Sequence, residues 1–238
     1  MSNILFVIVL YQKTKEQSLA WLSLQKCLSP EQLQRDVYVH DNTKNNIFLA
    51  AAYNIALKRA MNGGYQWLAL LDDDTEVNMA YIDQLAQHTQ DESSDNVLVP
   101  VLQDGNGKTL SPAYHYGVLS AFNSATVIRT SVIESIGGFN EKYPLDYLDY
   151  WLFRELHRRH IKVSVLAVSL KHNLSCSDYS TMTQQRYLSI LRAENQFAKE
   201  GGIANFLCYK LQLCARIVKW TLIGHPYIRE TWNALIGE

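Results

Sequence analysis

The chain has 238 residues, of which 47% are hydrophobic and 19% are charged, so it can bury a proper core and is not a disordered protein. Its formal net charge of −1 gives no overall positive field for nucleic acid. The four cysteines form no CxxC pair and no cluster with histidine, and we expect ordinary buried thiols of a reducing compartment. The first residues run directly into an apolar segment without a basic region or cleavage site, which predicts a cytoplasmic protein.

The first hundred residues alternate apolar runs with segments of helical periodicity. The apolar runs predict strands, and the segments between them predict helices of a βαβαβα order. Such an order predicts an α/β fold with a mostly parallel sheet. The predicted strands cover residues 4–10, 37–40, 67–71 and 97–101, and the predicted helices cover residues 16–28, 47–61 and 81–88.

Beyond residue 110 the pattern becomes mixed. We expect strands at residues 114–122, 125–128 and 162–168, and helices at residues 131–136, 150–160 and 183–199, with another after Gly202. No segment has the length or composition of a linker between domains. The sequence therefore predicts one α/β domain over residues 1–200 and a C-terminal amphipathic helical tail over residues 201–238.

Three consecutive carboxylates, Asp72, Asp73 and Asp74, close the third apolar strand. The carboxyl ends of strands face the crevice in which open α/β sheets bind ligands. Adjacent anions repel one another, and a set of oxygen ligands favours a hard cation such as Mg²⁺ or Mn²⁺. The alternative is that Asp74 and Thr75 start the next helix while the other two acids are solvated, and both interpretations stay open here.

Short segments between residues 3 and 200 follow one another in the order of a known family. They are Val7–Tyr11, Asp41–Asn42, Asn46–Asn54, Asp72–Asp74, Asn123–Ala125, Gly137–Glu141, Asp146–Asp149, His172 and Arg192–Asn195. Together they resemble the family 2 glycosyltransferases with the GT-A fold, and Asp146–Asp149 is similar to the rhamnosyltransferase-like members. Three positions depart from the family's pattern: Phe48 stands for Gly, Asn140 for Asp, and Trp151 for an acidic residue.

The resemblance implies a single GT-A-type, Rossmann-like domain with a donor site. It implies that Asp41 accepts a hydrogen bond from a pyrimidine ring, and that Asp74 and His172 hold Mn²⁺ or Mg²⁺. An imidazole ligand favours manganese. The nucleotide sugar is expected to contact Tyr11, Asp41, Asn54, Asp72 and Asp73.

The resemblance also implies an acceptor side, formed by Ser124, Asp146 and Trp151, with Asp149 as the catalytic base. A base opposite the leaving group takes the proton of the acceptor hydroxyl, and a single displacement inverts the anomeric centre. Simpler roles stay open for the same residues. Asp149 could cap the helix that follows, Asp41 could form an Asx-turn, and His172 could be an ordinary polar strand residue.

The implied function is an inverting, metal-dependent transfer of a sugar from dTDP-rhamnose or a UDP-sugar. The expected acceptor is a saccharide or lipid-linked saccharide in surface polysaccharide synthesis, and no nucleic acid is involved. Two alternatives come from other classes. One is a metal-dependent phosphohydrolase of the haloacid dehalogenase type, although its DxDx[TV] pattern is broken by Glu76. The other is a non-catalytic protein that binds nucleotide sugars.

The tail from Ile203 to Ile223 is apolar except for a polar stripe and Lys210. The stripe consists of Asn205, Gln212, Arg216 and Lys219, which lie on one helical face. These residues argue against a membrane-spanning helix. Contact with the inner face of the cytoplasmic membrane, packing on the catalytic domain, and homo-oligomer formation all stay open.

Overall fold

A computed structural model of the chain describes residues 3–89, 95–115, 117–172, 179 and 182–237. Contacts divide the chain into two compact units, residues 1–173 and residues 174–238. The domain boundary expected after residue 200 stays a prediction, but the compact units divide at residue 173. No helix in the described ranges is both long enough and apolar enough to cross a membrane.

The first unit is built on an eight-stranded sheet. Its strands are β1 (Ile4–Leu10), β2 (Val37–Asp41), β3 (Trp67–Asp72), β4 (Thr75–Glu76), β5 (Val97–Gln103), β6 (Thr109–Ser111), β9 (Val127–Arg129) and β10 (Val163–His172). The order is β2-β1-β3-β9-β5-β10-β4, with β6 on β5. Strands β2, β1, β3, β5 and β10 run in one direction, so the sheet is mostly parallel, as predicted. A separate antiparallel pair consists of β7 (Ala113–His115) and β8 (Val118–Ser120).

Helices cover the sheet of the first unit and form most of the second. In the first unit they are α1 (Leu19–Cys27), α2 (Pro30–Asp36), α3 (Phe48–Asn62), α4 (Met79–His88), α5 (Thr130–Ser135) and α6 (Leu148–Arg158). The second unit contains α7 (Gln184–Glu200), α8 (Ile203–Ile223) and α9 (Ile228–Ile236). All residues of β1 and the first five of β3 are buried, as expected for strands covered on both faces.

Local capping explains where the helices differ from the sequence-based expectation. Residues 16–28 were expected to form one helix, but Ser18 is extended and accepts the N–H of Trp21, so α1 begins only at Leu19. The Ser29-Pro30 pair was expected only to stop that helix. Ser29 also starts α2, because it forms a capping box with Gln32 and Pro30 occupies the first turn.

The second unit has its own core, in which Tyr187, Leu213 and Trp220 are buried. Arg216, expected on the polar stripe of α8, is partly buried and forms a bidentate ion pair with the buried Glu194, at 3.0 and 2.9 Å. Other apolar residues of α8 are exposed, namely Ile203, Leu207, Leu211, Val218 and Leu222. The expectation of buried thiols was wrong for Cys208 and Cys214, which are exposed, and Cys176 lies outside the described residues.

Candidate active site

The carboxyl ends of three neighbouring parallel strands bring polar residues to one edge of the sheet. Asp72 ends β3 and is paired with Val9 of β1, while Asp41 ends β2 and is paired with Leu10. Tyr11 follows β1 directly and is half exposed. The predicted nucleotide-contacting residues Tyr11, Asp41 and Asp72 therefore follow adjacent strands at the edge where such sheets bind ligands.

Asp72, Asp74 and His172 form a compact group of side chains that could hold a metal ion. One donor atom from each lies within 4.8 Å of the others, and Asp74 Oδ1 is 3.7 Å from His172 Nδ1. Asp74 Oδ1 is buried and accepts no hydrogen bond among the described residues. A buried carboxylate oxygen without a donor is costly, and a cation would satisfy it. Two carboxylates and one imidazole suit Mn²⁺, and Mg²⁺ with added water ligands.

His172 reaches this group because the last residues of β10 pair with the short strand β4. The register sets His172 opposite Thr75, whose hydroxyl is 3.2 Å from His172 Nδ1. The same hydroxyl is hydrogen-bonded to the Ser124 hydroxyl, which also accepts the N–H of Asp72 at 3.2 Å. Thr75 and Ser124 thus connect the acidic loop, residues 72–75, to β10 by hydrogen bonds. Ser124, which was predicted on the acceptor side, thus contacts the backbone of Asp72. The role of Thr75 was not predicted from the sequence.

The pKa values of Asp72, Asp74 and His172 all differ from the ordinary values of these side chains. Burial, reinforced by the charges of Asp74, Asp73 and Asp149, raises the pKa of Asp72 to about 7. Burial also raises the pKa of Asp74, an effect that His172 opposes. The pKa of His172 is lowered by burial despite the nearby Asp74, so the neutral imidazole that metals require is favoured. The carboxylate of Asp73 forms an ion pair with Lys13 at 2.5 Å and supplies no atom to the group of possible metal ligands.

Asp149 lies in the first turn of α6, which begins one residue before it at Leu148. It is therefore inside the helix and not at the cap, and the cap position is taken by Tyr147 in a left-handed conformation with φ 63°. Asp149 Oδ1 accepts the N–H of Tyr150 at 2.8 Å. Burial raises the pKa of Asp149 to about 6, although backbone N–H groups oppose the rise. The charge of Asp149 raises the pKa of Asp72, so the two carboxylates act on a common region.

A small cavity of about 70 Å³ adjoins Asp149. The hairpin of β7 and β8 and the start of α6 form its wall, which includes Ser111, His115, Phe122 and Tyr150. His115 stacks on Tyr150 with ring centroids 4.1 Å apart, and burial lowers the pKa of this imidazole. No motif in the sequence marked His115 or Tyr150. Of the predicted acceptor-side residues, Asp146 is partly exposed, and Trp151 is buried in α6 with 7% of its surface accessible.

Two predicted donor-side residues are already engaged in local structure. Asp41 Oδ1 accepts the N–H of Thr43 at 2.8 Å, an Asx-turn whose hydrogen bonds lower the Asp41 pKa. Asn54 accepts the N–H of Phe139 at 2.8 Å and donates to the Phe139 carbonyl and to Glu141, both at 2.9 Å. Asn54 thus fastens the Gly137–Glu141 segment to α3, and its role in donor binding stays a prediction.

Phe48, one of the departures from the family pattern, and Gly138, in the matching Gly137–Glu141 segment, both have positive φ angles. Phe48 has φ 64°, a left-handed conformation that glycine adopts more readily. Its N–H donates to Asn46 Oδ1 at 2.9 Å, and its carbonyl accepts from Asn42 at 3.3 Å. Gly138 has φ 88°, and a Cβ atom there would lie 2.8 Å from Asn54 Oδ1. Neighbouring side chains therefore hold Phe48 in a conformation suited to glycine, whereas Gly138 has no room for a side chain.

The sequence profile described as "Glycosyl transferase family 2" matches residues 23–157, more than half of the chain. The chain belongs to this family. The matched region contains the acidic triplet, the Gly137–Glu141 segment and Asp149, and it ends within α6. No curated protein sequence matches the chain significantly.

Solved structures of low sequence identity share the fold of this glycosyltransferase. S. aureus TarS 1–349 has a TM-score of 0.59 at 14% identity, over 98% of this chain and 79% of that one. The structure of TarS 1–349 in complex with UDP-GlcNAc has a TM-score of 0.57 at 14% identity, and the match covers 97% of this chain and 79% of that one. The mannosyltransferase PcManGT from Pyrobaculum calidifontis, in complex with GDP-Man and Mn²⁺, has a TM-score of 0.54 at 10% identity. That match covers 98% of this chain and 83% of PcManGT. The fold is therefore that of GT-A glycosyltransferases, and the family acts with nucleotide-sugar donors.

The raised pKa of Asp149 predicts a specific dependence of stability on pH. The folded state holds the proton more tightly than the unfolded state, where the pKa is near 3.8. The contribution to stability is therefore complete below pH 3.8 and is lost as the pH rises through about 6. Asp149→Asn should make the metal-free glycosyltransferase more stable than wild type by about 1–3 kcal/mol at pH 8, with the difference shrinking toward pH 4.

Urea denaturation at several pH values measures this difference. Asp146→Asn is the matched control, because the same change is made three residues away. A stability difference for Asp149→Asn that is the same at pH 8 and at pH 4 would contradict the burial of an ionisable Asp149.

Proposed function

We propose that the protein transfers a sugar, with inversion, from a nucleoside-diphosphate donor to a hydroxyl group, using a divalent cation. The observation that carries the proposal is the approach of Asp72, Asp74 and His172 within 4.8 Å, with the electrostatic influence of Asp149 on the same group. A bound Mn²⁺ or Mg²⁺, held by Asp74 and His172 with Asp72 nearby, supplies positive charge against the developing charge of the leaving diphosphate.

Asp149 is proposed as the general base. Its carboxylate takes the proton of the acceptor hydroxyl as that oxygen bonds to the anomeric carbon, and the diphosphate leaves with the electron pair of the broken bond. A pKa of about 6 supports this role, because the group is mostly ionised at pH 7 to 8 and still accepts a proton readily. The cavity of about 70 Å³ beside Asp149 is where we expect the acceptor hydroxyl to enter.

The finer specificity is also proposed. Asp41 at the end of β2 reads a pyrimidine base, and Tyr11 and Asn54 complete the nucleotide pocket, with Asp72 and Asp73 near the ribose. The similarity of Asp146–Asp149 to rhamnosyltransferase-like enzymes favours dTDP-rhamnose, with UDP-sugars as the other donors. We propose a saccharide or lipid-linked saccharide of a surface polysaccharide as the acceptor, with the enzyme acting in the cytoplasm at the inner face of the membrane.

Nucleotide binding should depend on a divalent cation through Asp74. Without the cation, the carboxylates repel the diphosphate over a few ångströms. In calorimetry, Asp74→Asn should lose the tightening of UDP or dTDP binding that manganese gives to the wild type. Equal tightening in the variant and the wild type would remove Asp74 from the metal site.

Two control variants make this experiment selective. Asp73→Asn should keep the manganese dependence, because Asp73 is paired with Lys13 outside the metal-binding group. Asp41→Ala should weaken the binding of pyrimidine nucleotides while the manganese dependence persists. If a purine diphosphate binds the wild type as tightly as a pyrimidine one, Asp41 does not read the base.

Removal of the base should abolish most turnover. Asp149→Asn keeps the size of the side chain and an oxygen for the N–H of Tyr150, so folding and donor affinity should persist. Turnover with the cognate donor and acceptor should fall by about two to four orders of magnitude. Asp146→Asn should cost much less.

The same assay separates the alternative functions. Near-normal turnover in Asp149→Asn would place the base elsewhere. A non-catalytic binding protein would show neither transfer nor donor hydrolysis in the wild type, and a phosphohydrolase would release inorganic phosphate without transferring a sugar.

A further inference from the structure

The second unit contains a larger cavity, of about 460 Å³, between α7, α8 and α9. This volume is within the range of small-molecule binding sites. Helix α7 contributes Arg192, Asn195 and Lys199, which follow one another at helical spacing along one face. The Arg192–Asn195 segment, which stood out in the sequence, contributes both of its end residues to the lining of this cavity.

The cavity is strongly basic. Its cationic lining residues are Arg192, Lys199, Lys210 and Arg229, against a single carboxylate, Glu230. Within the described part of the chain, Arg192, Lys199 and Arg229 form no ion pair with an acidic side chain. Glu230 accepts a hydrogen bond from Gln184 at 2.5 Å through one oxygen, and its other oxygen is buried without a donor. An excess of positive charge thus converges from three helices.

The lysines are held near one another. The ammonium groups of Lys199 and Lys210 lie 5.9 and 5.1 Å from the ring centroid of the same residue, Phe206. Lys210 is fixed there, because it donates to the carbonyls of Ala234 and Leu235 at 2.7 Å each. Burial lowers the pKa of Lys210, and the charge of Lys199 lowers it further. Such repulsion is relieved by an anion placed between the two groups.

Apolar surface lies in and beside the cavity. Leu188, Leu191, Phe206 and Ala234 line it, together with the amides of Gln184, Asn195 and Asn233. The residues next in sequence to its lining on α8 and α9 are exposed and apolar: Leu207 and Leu211 are 58% and 68% exposed, and Trp232 and Ile236 are 52% and 53% exposed. A ligand that is anionic at one end and apolar at the other complements both features.

We propose that this cavity binds a phosphate or diphosphate ester that carries an apolar group. Arg192 and Arg229 hold the phosphate oxygens by charge-assisted hydrogen bonds, Lys199 and Lys210 add positive charge, and the apolar group lies against Phe206 and the neighbouring leucines. The site itself is independent of the proposed function. Only the identity of the natural ligand, the diphosphate that links a saccharide acceptor to a lipid, rests on that function.

Calorimetry on the full chain tests the proposal with three probes: farnesyl diphosphate, inorganic pyrophosphate and farnesol. A chelator is present throughout, so that no cation draws a diphosphate to the acidic group. Farnesyl diphosphate should bind the wild type with a salt-dependent affinity at least about tenfold higher than that of pyrophosphate, since apolar burial adds to the ionic contacts. Farnesol, which lacks the charge, should bind more weakly than farnesyl diphosphate.

Charge variants should shift the affinity in opposite directions. Arg192→Gln combined with Arg229→Gln should weaken the binding of farnesyl diphosphate by at least about tenfold. Glu230→Gln should tighten it, because the change removes the one opposing carboxylate. Lys219→Gln is the matched control, since Lys219 is an exposed cation of α8 outside the cavity lining, and it should leave the affinity unchanged. Unchanged thermal unfolding confirms that the variants are folded.

Three results would overturn the proposal: no binding of farnesyl diphosphate to the wild type, the same affinity in the double arginine variant, or equal affinity for farnesol. Pyrophosphate binding as tight as farnesyl diphosphate would overturn the apolar part and point to a soluble phosphate compound. Manganese-dependent nucleotide binding should persist in all these variants. Loss of the farnesyl diphosphate site can therefore be distinguished from failure of the proposed function, which Asp74→Asn tests separately.

Discussion

Repulsion between carboxylates is the constraint around which the first unit is organised. Asp72 and Asp74 share one end of the sheet, Asp73 is adjacent, and the charge of Asp149 also acts on Asp72. Within the described residues the chain supplies little positive charge in return, chiefly Lys13, which pairs with Asp73, because burial favours the neutral form of His172 beside Asp74. Because burial raises the pKa values of Asp72 and Asp149, the folded protein is strained in its ionised form. In the proposed function, a divalent cation would offset this repulsion and so favour binding of the diphosphate.

The fold maintains this arrangement with hydrogen bonds between distant segments. Thr75 contacts both Ser124 and His172, so the acidic loop, β10 and the segment before β9 form one connected network. Asn54 similarly joins α3 to the Gly137–Glu141 segment, which precedes α6 and Asp149. These polar residues are largely buried, so each lost partner leaves an unsatisfied group, and the site is held more rigidly than loops alone would hold it.

Periodicity and motif order predicted the mostly parallel sheet and the C-terminal helices. The assignment of Asp74 and His172 to a metal and of Asp72 to the nucleotide sugar remains a prediction, although the fold brings the three side chains together. Periodicity could not predict β4, because a strand of two residues has no pattern, yet its pairing with β10 is what positions His172. Ser124 remains a predicted acceptor-side residue, but its hydrogen bond to Thr75, 49 residues away in sequence, is visible only in the fold. In the tail, the expected polar stripe is divided. Arg216 pairs with Glu194 of α7, which offers it a buried partner, whereas Gln212 and Lys219 are exposed.

Thermal unfolding of the wild-type protein tests the central claim most directly, with manganese alone, UDP or dTDP alone, and manganese and nucleotide together. If a cation must lie between the carboxylates and the diphosphate, the two ligands together should raise the melting temperature by more than the sum of their separate effects. The nucleotide with a chelator should give no increase. An equal increase with nucleotide in the presence of the chelator would contradict the account, because the acidic group would then bind a diphosphate without a cation.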